Sequence, residues 1–218
     1  MSGFPGSPRV LKGALVQTPP GNTPSVILFQ YNPETLTRRL DARTTNRGDV
    51  GERSEPFRIT GPPRETITLS VTLDATDALE TGDPLAASTG VAPALSALEL
   101  LLYPPSATVI ANASLASAGN IEIVPPTAPL TLLVWGPQRV LPVRVTGFTV
   151  TEQAYDVKLN PVLAKVDLTL AILSYADLRV SDPGYQIFLA YQVIKERLVA
   201  QAPMGGPQAT GAAIPRSA

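Results

Sequence analysis

Hydrophobic and polar positions alternate most strictly in RETITLSVTLDAT, residues 64 to 76, where Ile67, Leu69, Val71 and Leu73 fall on one side and Thr66, Thr68, Ser70 and Thr72 on the other. A period of two predicts a strand with one buried face. Its hydroxyl face is that of an ordinary wet surface, and it would also suit the wall of a water-filled lumen. The same alternation recurs in NPVLAKVDLTLAILSY, residues 160 to 175, with Val162, Ala164, Val166, Leu168, Leu170 and Ile172 opposite Lys165, Asp167 and Thr169. That run is much longer than the usual strand of about 5 to 6 residues, as expected of long antiparallel strands in a curved sheet or barrel wall. Further strands are predicted at 8–17, 25–31, 128–136 and 139–155. The turn PPGNTP at 19–24 joins the first two as a hairpin, and the unbroken apolar run SVILFQY predicts a second strand covered on both sides. Pro142 cannot donate to a ladder and points to an edge position or a bulge.

The period changes in two places. VAPALSALELLLYPP, 91–105, carries Leu95, Leu98, Leu101 and Leu102 at helical spacing before a Pro-Pro stop. A second helix is expected from Asp182-Pro183, with Asp as cap and Pro at the first position, and with Ile187, Tyr191, Ile194 and Leu198 along one stripe. Residues 37–64 form a polar, arginine-rich segment, either a solvated loop or an interface loop, and 106–129 an irregular insertion with a small hairpin around NIEIV. The division expected is a β domain over 1–180, a helix over 181–202 and a flexible tail over 203–218. The fold class expected is mainly β (α+β): long antiparallel strands in a curved sheet or barrel wall, with one or two flanking helices.

Composition narrows the chemistry. The 218 residues contain no histidine and no cysteine, which removes disulfides, thiolate metal sites and every Ser-His or Cys-His arrangement. The 17 basic and 18 acidic side chains nearly cancel, so no global field favours nucleic acid or membrane. The longest apolar stretch, LSALELLLY, falls short of the roughly 20 residues that span a bilayer, and the N-terminus has no secretory pattern. Asp74, Asp77, Glu80 and Asp83 crowd together without a calcium-loop pattern and are expected to cap a turn and helix. Neither metal, cofactor nor catalytic residue is expected; Trp135 is expected to pack in the core.

The order FQYNPETL, an alternating strand ending in LDATD, a helix, PPTAPLTLLVWG, and then VTGFTVTEQAYDVKLNPVLAKVDLTLAIL resembles the tube-like baseplate hub proteins of contractile injection systems, the tube-initiator family of phage-tail-like particles. The resemblance runs over about 8–178 and rests on Phe29, Tyr31, Asn32, Pro33 and Leu36; Leu73, Asp74 and Asp77; Pro126, Leu130, Trp135 and Gly136; and Tyr155, Pro161 and Ala164. It implies an antiparallel β-sandwich or half-barrel protomer of the phage tail-tube type and a homohexameric ring joining the inner tube to the central spike. Its partners would be further copies of itself, the inner tube protein, the spike and baseplate wedge proteins. It would be made in the bacterial cytoplasm and built into a particle. Many members carry a C-terminal lysin-motif domain that this sequence lacks, so peptidoglycan binding does not carry over.

Phe29, Tyr31, Asn32, Pro33, Arg38, Arg39, Arg43 and Arg47 are the candidate interface residues. Competing expectations are an inner-tube layer protein, a carbohydrate- or ligand-binding β-sandwich module, and an enzyme working with carboxylates such as Asp74, Asp77 and Asp156.

Overall fold

A computed structural model describes residues 11–18, 24–43, 59–117 and 128–202. Seven strands run β1 Ala14–Thr18, β2 Ser25–Leu28, β3 Leu36–Asp41, β4 Arg64–Asp74, β5 Leu130–Val134, β6 Val140–Tyr155 and β7 Pro161–Ile172. They form one antiparallel sheet in the order β2-β1-β5-β6-β7-β4-β3. The long strands β4 and β7 are in register, with Ile67 opposite Leu170, Leu69 opposite Leu168 and Val71 opposite Val166. Residues directly opposite share a face. These six are therefore the floor of the core, and all are buried.

Curvature follows from one short connection. β2 and β3 lie at opposite edges, six strand spacings apart, or roughly 29 Å in a flat sheet. Residues 29–35 joining them reach at most about 28 Å when fully extended, and this segment is bent at Gln30, Tyr31 and Glu34. The sheet must curl to bring its edges together. Gln30 accordingly meets Asp74 at the end of β4.

Several expectations are corrected. The apolar run 25–31 is strand only to Leu28 and forms an edge, with Val26 and Leu28 more than half exposed instead of covered on both sides. The start of the polar segment 37–64 is β3, paired with β4; its middle lies outside the described residues. Pro142 sits in an interior strand, not at an edge. Its carbonyl accepts from Leu173 N–H at 2.9 Å, so its missing N–H falls on the same side, at the last rung beside β7, where the loss is least.

Among the described residues there are five helices, more than the one or two expected: α1 Thr76–Glu80, α2 Pro84–Thr89, α3 Ala92–Glu99, α4 Ser106–Ser117 and α5 Pro183–Val199. The helix expected over 91–105 stops at Glu99, and much of the 106–129 insertion is α4; NIEIV lies outside the described residues. α5 packs on β6, with Gly184 pressed so close to Leu178, Leu130 and Pro142 that a Cβ would sit 2.8 to 3.3 Å from their side chains. Asp182 does precede α5, but its carboxylate accepts from Arg179 N–H at 2.9 Å and caps no helical N–H. The buried positions are Gly184, Phe188 and Tyr191; of the stripe expected, Tyr191 is buried, Ile187 and Ile194 are half-buried and Leu198 is exposed. Aromatic packing decides this phase: Phe188 meets Tyr175 at 5.7 Å and Tyr191 at 6.4 Å between ring centroids.

Candidate assembly interface

Asn32-Pro33 belongs to the segment that crosses between the sheet edges, and the residues around it divide into core and surface. Phe29 is 1% exposed and tilts against Trp135, ring centroids 6.4 Å apart. Gly13 lies beneath both rings; a Cβ there would stand 2.8 Å from each. The Asn32 amide then substitutes for a strand: its Oδ1 accepts from Gly13 N–H and its Nδ2 donates to Leu11 O, each at 2.8 Å. Phe29 and the Asn32 amide are thus engaged within the protomer. Tyr31 is exposed and Pro33 half-buried, and both line a shallow depression with Glu34, Ser70, Thr72 and Lys165.

The arginines part in the same way. Arg38 lies opposite Ile67 on the core face of β3, and its Nε donates to Glu65 Oε1 at 2.6 Å. Arg39, opposite Thr66 on the outer face, is well exposed and pairs with neighbouring Asp41. Arg43 reaches Asp177 at 2.8 Å. Burial pushes the Asp177 carboxyl up, but the bonds from Arg43 and Ser174 outweigh it and hold the group below its ordinary range. Arg47 lies outside the described residues.

The outer face of the long strands is polar across three strands in register. Thr72, Lys165 and Thr151 form one row, Ser70, Asp167 and Thr149 the next, and Thr68 and Thr169 meet Gly147 in a third. Ser70 Oγ donates to Asp167 Oδ1 at 2.6 Å. Thr37 and Arg39 extend the same face onto β3. Alternation along single strands exposed the hydroxyls of β4; the contribution of β6 needed the register.

This polar face has open edges on both sides among the described residues. β3 is a free edge of the sheet, and β5 pairs with β6 only over Val140–Val143, which leaves the outer part of β6 unpaired on that side. Unpaired edges are templates for another strand. Beyond them projects the β6–β7 turn. Asp156 Oδ1 accepts from the Lys158 and Asn160 N–H groups and Oδ2 from Asn160 Nδ2, bonds that also lower its pKa, led by the Asn160 side chain. The turn so held presents Val157, fully exposed, and Leu159, 78% exposed at a left-handed φ of 64°. Helix α4 buries no residue and exposes Val109, Ile110 and Leu115.

Of the four clustered acids, Asp74 and Asp83 are committed to local structure. Asp83 Oδ1 caps α2 through Leu85 and Ala86 N–H, and Asp74 Oδ1 accepts from Thr76 N–H. Among the described residues no three metal-ligating side chains converge, and no helix is long and apolar enough to cross a membrane.

No protein-family model matches the sequence, and no curated protein is detectably similar to it.

Proposed function

We propose that this protein is a non-enzymatic structural ring: a baseplate hub component of a contractile injection system or phage tail that joins the inner tube to the central spike and initiates tube assembly. The observation that carries this reading is the polar face of β6, β7, β4 and β3 with an open strand edge at either side. Strand directions alternate across it, so β3 of one copy would meet β6 of the next in antiparallel sense. A heterologous contact of that kind closes into a ring where the rotation between copies divides a full turn, and otherwise runs on as a filament. The rows of Thr and Ser, with Lys165 balanced by Asp167, would then line a lumen free of apolar patches and of strong net charge. The exposed apolar groups of α4 and of the β6–β7 turn give neighbouring copies or baseplate partners something to cover.

The sixfold count, the spike and tube partners, and assembly in the bacterial cytoplasm come from the sequence resemblance alone. Light-scattering mass and negative-stain images of the purified protein test the ring: sixfold particles are expected, and a monomer persisting at high concentration would sink the reading. Co-expression with a candidate tube protein separates an initiator, which nucleates tube growth from one end, from an ordinary tube layer.

A further inference from the structure

A second feature lies away from the polar wall. The turn at 135–139, strand β3 and the second half of α5 enclose a cleft of about 380 Å³. Trp135, Pro137, Ile194 and Leu198 give it apolar walls, while Arg38, Arg139 and Lys195 bring three cations to it. Among the described residues the one carboxylate paired with them is Glu65, 3% exposed on the core side of β4. Arg38 takes one oxygen at 2.6 Å. Lys195 Nζ stands 3.9 Å from the other, beyond hydrogen-bond reach, and rests 4.3 Å above the Tyr191 ring. Arg139 has no described carboxylate within ion-pairing distance. Among the described residues, three positive groups thus line the cleft with one negative group, an excess of two charges in a half-enclosed space. Burial lowers the Lys195 pKa, and although Glu65 opposes this, Arg38 and Arg139 lower it further, the mark of like charges crowded together.

We propose that this cleft binds a carboxylate carried on an apolar stem. The carboxylate would sit between Arg139 and Lys195, relieving their repulsion, and the stem would lie against Trp135 and Ile194. Small-molecule pockets combine apolar walls with a few placed polar groups in this way, and the volume falls within their usual range.

Trp135 is the sole tryptophan of the chain, so its fluorescence reports on the cleft directly. The full-length protein is titrated with hexanoate, with hexanamide and with inorganic phosphate, and the hexanoate series is repeated with Arg139→Gln and Lys195→Gln, whose folding is checked by circular dichroism. A saturable change is expected with hexanoate, weaker by roughly tenfold or more in each variant, as loss of one charged partner predicts. The two neutral variants back each other up should one misfold. An equal response to hexanamide would mean an apolar cleft only, and tighter binding of phosphate a site for inorganic anions; either overturns the proposal. So does the lack of any saturable hexanoate signal, or unchanged affinity in the folded variants.

Discussion

Gln30 and Asp74 exchange two hydrogen bonds: Gln30 Nε2 donates to the Asp74 carbonyl at 2.6 Å, and the Asp74 N–H donates to Gln30 Oε1 at 2.8 Å. One side-chain amide thereby ties the chain leaving an edge strand to the far end of β4 and holds the curl of the sheet. Gln30→Ala leaves both backbone groups without these partners and is expected to cost about 1 to 3 kcal/mol. Gln30→Glu should cost more at neutral pH, because a carboxylate oxygen then faces the Asp74 carbonyl. Urea denaturation of the two variants checks the order; equal midpoints would mean that the bridge is not what holds the sheet curled.

The Arg38–Glu65 pair supports a second expectation. Glu65 is buried and Arg38 is only a quarter exposed. Removing one partner strands the other charge, whereas replacing both with apolar groups avoids this. Glu65→Leu is expected to destabilise by roughly 2 to 4 kcal/mol, and the double variant Glu65→Leu with Arg38→Met by clearly less. A double-mutant cycle in urea measures the coupling. Strict additivity would show that the pair contributes nothing specific.

The same pair marks the limit of what the pattern of residues revealed. β4 and β7 were legible because alternation runs uninterrupted through them, and the buried face of β4 is the one the alternation indicates; in β6 the alternation is broken at Pro142 and by a bulge between Val145 and Gly147, so the run was visible but not its faces. β3 was hidden in a polar segment because LTRRLD places Arg38 on its core face, and only Glu65 across the ladder makes that position tolerable. The edge status of β2 depends on partners remote in sequence, as does the shared polar face of β6. α4 buries nothing and so carries no amphipathic stripe by which to recognise it. Of the candidate interface, the Asn-Pro motif was visible as a strand ending, but the two backbone groups held by the Asn32 amide lie 19 and 21 residues away.

Acid should weaken the fold partly through Asp177. Its folded pKa lies below the ordinary carboxylate value, since the Arg43 and Ser174 bonds overcome the effect of burial. The stabilisation is therefore present above the ordinary value of about 3.9 and lost as pH falls through the folded one. Urea midpoints followed from about pH 5 to about pH 2 should decline less steeply in Asp177→Asn than in the parent protein. Parallel curves would show that other carboxylates account for the decline.

Leu159 separates stability from assembly. It holds φ at 64° in the β6–β7 turn while its side chain is 78% exposed, so the protomer bears backbone strain without gaining burial. A left-handed conformation is unfavourable for most side chains and better tolerated by Asn. Leu159→Asn is therefore expected to stabilise the protomer by roughly 0.5 to 1 kcal/mol. If a neighbouring copy covers the turn, the same substitution removes an apolar group from the contact and should shift the ring towards monomer. Thermal denaturation of the dilute monomer and light scattering at high concentration read the two effects separately. A variant that is more stable and associates as well as the parent would exclude the turn from the contact and leave the open edges of β3 and β6 to make the ring.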